Sequence, residues 1–118
     1  VCQDLRMPRY LSSFDDGSMD HLQDDLVEVG EAAHEVLRAA KAAGVWVTGA
    51  GVDRQQASIV ATDGTITDGP FPETKAVLGG FSIIDVPTRA EALQWAARFA
   101  AACRCAQEVR ELMHDPEV

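Results

Sequence analysis

The sequence predicts an α+β fold in which two helices cover one face of an antiparallel sheet. Three observations carry this. Two long segments repeat apolar residues at steps of three and four. Shorter β-prone runs stand before, between and after them. Glycine-bearing turns stand at several joints.

Residues 1–7 read as a loose leader, 8–113 as a single domain and 114–118 as a frayed tail. Tyr10, Leu11 and Phe14 mark a short strand ended by Asp15-Asp16-Gly17. From about Asp20 to Ala43, Leu22, Leu26, Val29, Ala33, Leu37 and Ala40 lie on one face of a helix. Acidic residues crowd its start and Arg38 and Lys41 its end, which complements the helix dipole. Gly44 stops it.

Val45 to Thr48 reads as a buried strand, broken by Gly49-Ala50-Gly51. Ala57 to Thr62 is a further strand, and Asp63-Gly64 signals a two-residue hairpin leading into Thr65-Ile66-Thr67. Gly79-Gly80 opens the strand Phe81 to Val86. Thr88 with Glu91 three positions on is a capping box for the second helix. Leu93, Ala96, Ala97 and Ala100 share one side of that helix, with Trp95 and Phe99 adjoining. Gln107 to Met113 alternates as a strand, with Val109 and Met113 on one face, although its Glu and Arg content also suits a helix. The order is a βαββαβ core with an inserted hairpin, a ferredoxin-like sandwich. The uncovered sheet face would expose an apolar patch, so two copies are expected to pack face to face.

The chain has 118 residues, 47% of them hydrophobic, and a formal net charge of −9, which suits one globular domain and opposes binding to nucleic-acid phosphates or anionic membranes. No apolar run approaches the roughly 20 residues of a membrane helix, and Val-Cys-Gln-Asp-Leu-Arg at the start lacks the apolar middle of a signal peptide. Three cysteines without a spaced framework point to reduced thiols and a cytoplasmic setting.

Chemistry concentrates in Asp68-Gly69-Pro70-Phe71-Pro72-Glu73-Thr74-Lys75. As structure, Asp68-Gly69 makes a turn, Pro70 fixes φ and Phe71 plugs an apolar gap. As a site, Asp68 and Glu73 act as acid and base, Phe71 and Thr74 contact a ligand, and Lys75 holds an anion. His34, beside the apolar stripe of the first helix, is either a half-buried structural histidine or a general base. Arg110 is a second candidate anion holder. Cys103-Arg104-Cys105 lacks the further ligands zinc needs and reads as small apolar residues closing a helix. Gly49-Ala50-Gly51 lacks the spacing of a phosphate loop. No metal or cofactor is expected.

The chain resembles the YCII-related family, in its DGPF-motif branch, over about Pro8 to Met113. The residues that carry the likeness are Ala42-Ala43-Gly44-Val45, Asp68-Gly69-Pro70-Phe71 with Glu73-Thr74-Lys75, Gly79-Gly80-Phe81, Glu91-Ala92-Leu93-Gln94-Trp95-Ala96 and Glu108-Val109-Arg110. The resemblance implies a ferredoxin-like protomer and a dimeric α+β barrel. Some DGPF-type genes neighbour extracytoplasmic-function sigma factors, which implies a regulatory partner. A distant member is a dehydrochlorinase, and a His–Asp pair has been suggested for the family. This sequence departs from that pair, because Ala42 and Ala43 occupy the last turn of the first helix, where the Asp would stand.

Two functions follow as expectations. One is a cytoplasmic homodimer that binds a small polar or aromatic acid near the DGPF loop, with weak cofactor-free lyase or hydrolase activity. The other is a non-catalytic regulatory module that docks on a protein such as a sigma factor.

Overall fold

The computed structural model describes residues 8–15, 26–52, 57–68 and 78–117. Its elements are β1 (Arg9–Asp15), α1 (Leu26–Ala42), β2 (Trp46–Gly51), β3 (Ser58–Val60), β4 (Ile66–Asp68), β5 (Leu78–Asp85), α2 (Arg89–Cys103) and β6 (Glu108–Glu111). The expected leader and the start of the first helix lie outside the described residues.

Four strands form one open antiparallel sheet in the order β2-β5-β1-β6, while β3 and β4 pair separately. With the hairpin set aside, this is the ferredoxin-like arrangement. Sheet register defines two faces. Tyr10, Ser12 and Phe14 pair with Ile84, Ser82 and Gly80 on the face beneath the helices. Leu11, Ser13, Phe81 and Ile83 alternate onto the opposite face. The edge of that second face carries a two-pronged ion pair, Arg9 Nε to Asp85 Oδ1 at 2.7 Å and Nη2 to Oδ2 at 2.9 Å. At an exposed site such a pair contributes at most about 1 kcal/mol.

The helix ends follow local chemistry. Thr88 caps α2 by accepting the Glu91 N–H at 3.2 Å. Gly44, at φ 76, closes α1 with the Val45 N–H bonded to the Ala40 carbonyl at 3.1 Å. Arg104 takes the same left-handed role after α2, at φ 56.

The core gathers Tyr10, Ile84, Val86 and Ala92, with Val45, Trp46, Trp95 and Val109 packed against it. The buried stripe of α2 is Ala92, Ala96 and Phe99. Leu93, expected on the buried side, is 45% exposed. The large Trp95 and Phe99 rings turn the helix toward themselves, since they bury more area than Leu93 can.

Several other expectations change. Val45 to Thr48 is not a buried strand: β2 is an edge strand, with Val47 and Thr48 exposed. Gly49, Ala50 and Gly51 do not break it but pair with Ser82, Phe81 and Gly80. The hairpin loop has three residues, not two, because the Ala61 N–H bonds to the Thr65 carbonyl and Gly64 adopts φ 89. That is a turn followed by a glycine bulge. The ambiguous C-terminal segment is a strand, but Met113 lies beyond it and is 94% exposed. In the tail, Asp115 accepts the Glu117 N–H at 2.9 Å.

Candidate functional site

The layer between helices and sheet is filled unevenly. On β5 the residues facing the helices run Gly80, Ser82, Ile84, and on β1 they run Phe14, Ser12, Tyr10. Bulky pairs close one end. At the other, serines and glycines leave a cavity of about 270 Å³. Ala33, His34 and Leu37 of α1 line it from above, and Gly49, Gly51 and Ser82 from below. Phe14, Trp46, Phe99, Cys103 and Gln107 also line it.

Two glycines make its walls aromatic. A Cβ on Gly49 would lie 2.6 Å from Trp46 Cη2, and one on Gly80 would lie 2.6 Å from Phe14 Cζ. Each ring therefore lies against the bare backbone of its own sheet. Trp46 and Gly49 share a face because the β2–β5 register shifts between Trp46 and Thr48, leaving Val47 as an inserted residue. The Trp46 and Phe99 ring centres stand 6.0 Å apart at a 40° tilt, within the favourable range for aromatic pairs.

The polar groups are few. Ser12, 4% exposed, donates its hydroxyl to Gln107 Oε1 at 3.0 Å. Gln107 Nε2 donates to Cys105 Sγ at 3.7 Å. Burial, and then the neighbouring Cys103, push the Cys105 thiol up to about 11. Burial likewise raises Cys103. Both therefore stay protonated near neutral pH and are poor nucleophiles.

Among the residues expected to form a site, His34 lines the cavity. Asp68 lies at the end of β4, where it accepts a hydrogen bond from Ser58 across the hairpin, and is not among the described lining residues. Arg110 pairs with Glu108 at 2.9 Å and, opposite Leu11, belongs to the sheet face away from the helices. His34 and Arg110 thus stand on opposite sides of the sheet. Phe71, Glu73, Thr74 and Lys75 lie outside the described residues. Phe14, Trp46, Phe99, Ser82 and Gln107 were not anticipated as lining. Their signal, small residues opposite aromatic ones, becomes visible only once the register is known. Among the described residues, no three His, Cys, Asp or Glu side chains gather as metal ligands, and no helix is long and apolar enough to cross a membrane.

Fold and cleft together define a class: a ferredoxin-like α+β domain with an aromatic-walled cleft between sheet and helices. A model of the YCII-related domain matches residues 12–114, and the chain belongs to that family. No curated protein matches it.

Proposed function

We propose that the protein binds a small aromatic acid in this cleft, with the ring against Phe14 and the Trp46–Phe99 pair and the polar end toward His34 and Gln107. The observation that carries the reading is the pair of strand glycines, Gly49 and Gly80, whose bare backbone receives two aromatic rings beside open volume. An engineered apolar cavity of about 150 Å³ holds benzene, so about 270 Å³ suits a single ring with a substituent. Burying about 150 Å² of ring contributes about 4 kcal/mol, which is offset in part by the freedom the ligand loses on binding. Polar contacts must supply the rest.

His34 is the proton-transfer group of this reading. No carboxylate joins it among the described lining residues, so binding, with at most weak lyase or hydrolase turnover, is the function supported. Asp68 and Arg110 have no part in the ligand contact proposed here. The Asp68-Gly69-Pro70-Phe71 motif supports placement in the DGPF branch of the family.

The test is a titration of Trp fluorescence and heat with benzoate and substituted benzoates. Saturable binding below 1 mM, weakened at least tenfold in Trp46→Ala and also reduced in His34→Ala, supports the reading. Binding indifferent to both substitutions, or no saturation by any of these acids, overturns it.

We also propose that the working form is a homodimer. Ile59, Val60 and Ile66 of the separate hairpin are 53%, 65% and 65% exposed, and a lone two-stranded hairpin is marginal in water. The radius of gyration of 16.2 Å exceeds the roughly 13.5 Å of a compact chain of this length. Both observations favour a second copy packed against the hairpin.

A further inference from the structure

We propose that Gln107 is the specificity-determining residue of the cleft, offering one amide N–H that selects ligands headed by a hydrogen-bond acceptor. This rests on the ring-binding reading above and goes further, because it assigns the chemistry of the ligand's polar end.

The argument is an accounting of hydrogen bonds. A glutamine amide has two N–H donors and one carbonyl acceptor. In Gln107 the carbonyl takes the Ser12 hydroxyl at 3.0 Å, and one N–H goes to Cys105 Sγ at 3.7 Å. Ser12 is 4% exposed and Cys105 6%, so the amide is held by two groups that cannot turn to solvent. Gln107 itself lines the cavity. The second N–H is the donor left for whatever occupies that space. Sulfur is a weak acceptor, and the Cys105 thiol stays protonated near neutral pH, so no anion competes for that donor.

The rest of the described lining reinforces the choice. Phe14, Trp46, Phe99 and Leu37 offer no hydrogen-bonding side chain, His34 is exposed at the rim, and the buried Ser82 hydroxyl, which can donate or accept, is the other polar group on the sheet side. A ketone, amide or carboxylate oxygen placed at Gln107 gains a hydrogen bond. A ligand of the same shape without that oxygen leaves a desolvated donor unpaired, and sites built around a hydrogen bond reject such ligands most strongly. The ligand class that Gln107 selects is therefore an aromatic carbonyl or carboxylic compound over an aromatic hydrocarbon of the same shape.

Acetophenone and α-methylstyrene form a neutral matched pair: one carries C=O where the other carries C=CH2. Their affinities are measured by Trp fluorescence for the wild type, Gln107→Met and Gln107→Glu. Gln107→Met removes the amide and leaves the Ser12 hydroxyl without its acceptor. Gln107→Glu keeps an acceptor for Ser12 and for the Cys105 thiol while removing the N–H, so it tests the proposal if the first variant fails to fold. The wild-type preference for acetophenone should fall about fivefold to tenfold in either folded variant, with α-methylstyrene binding unchanged within about twofold. If both ligands weaken together, Gln107 only shapes the cleft and the assignment fails. An unchanged preference in either folded variant fails it as well. If the wild type binds neither ligand nor benzoate, the ring-binding reading itself falls and takes this inference with it.

Discussion

Gly49 and Gly80 are the residues on which the cleft depends, and they differ in how far a side chain could be tolerated. A Cβ at Gly49 would meet the Phe81 carbonyl oxygen at 2.7 Å as well as the Trp46 ring. Backbone cannot swing aside, so Gly49→Ala should destabilise the protein by about 2–3 kcal/mol in urea unfolding. At Gly80 the nearest atoms belong to the Phe14 ring at 2.6 Å, with the Ala50 carbonyl at 3.0 Å. That ring can rotate into the adjoining cavity, so Gly80→Ala should cost about half as much while filling the cleft and weakening ring binding. Equal costs would mean that the Phe14 ring is as fixed as the strand. Cys105 gives a pH signature. Its folded thiol is raised to about 11, against about 8.5 for an unfolded cysteine. The fold thus favours the protonated form. Its contribution is complete below about pH 8.5 and is lost as pH rises toward about 11. The difference in Tm between wild type and Cys105→Ala should therefore narrow from pH 8 to pH 11; a constant difference would show that the thiol does not titrate in the fold.

At the scale of elements, the N-cap of α2 and the cross-strand end of the hairpin have separable effects. Thr88→Ala removes the acceptor for the Glu91 N–H and should lower stability by about 1 kcal/mol, read by chemical denaturation. Replacing Asp68 by Ala removes the side-chain bond from Ser58 at the Ser58–Asp68 rung of the hairpin. A cross-strand pair of this kind contributes about 0.2–1 kcal/mol, and benzoate affinity should not change. A tenfold loss of affinity with unchanged stability would instead place Asp68 in the ligand site. Local chemistry made much of this level legible. The period of the first helix, Gly44 after it and the Thr88–Glu91 spacing are all short-range signals. The hairpin loop was harder. Asp63-Gly64 fits a two-residue turn, yet Gly64 serves as the bulge of a three-residue one, with the Asp63 carboxylate accepting the Thr65 N–H.

For the whole molecule, the expected mass in solution is twice that of the 12.7 kDa chain. Light scattering after gel filtration checks it, and Val60→Asp combined with Ile66→Asp should shift the protein toward single chains. A monomeric wild type would leave the exposed apolar hairpin to a different protein partner. The net charge of −9 would then favour a basic one.

Period, caps and glycine punctuation determined the element order, and the order with short connections determined the ferredoxin-like class, because few other arrangements bury both helices on one antiparallel sheet. The candidate site was read less fully. His34 could be singled out as a titratable residue beside an apolar stripe, but sequence gave no reason to place Gln107, Ser12 or Phe14 beside one another. Their proximity depends on which strands are neighbours and in what register. Trp46 and Gly49 make the point most plainly: strict alternation puts residues three apart on opposite faces, and only the inserted Val47 brings them to the same one. Tertiary pairing decided the cleft because a cavity is the space left between elements, and no single element encodes it.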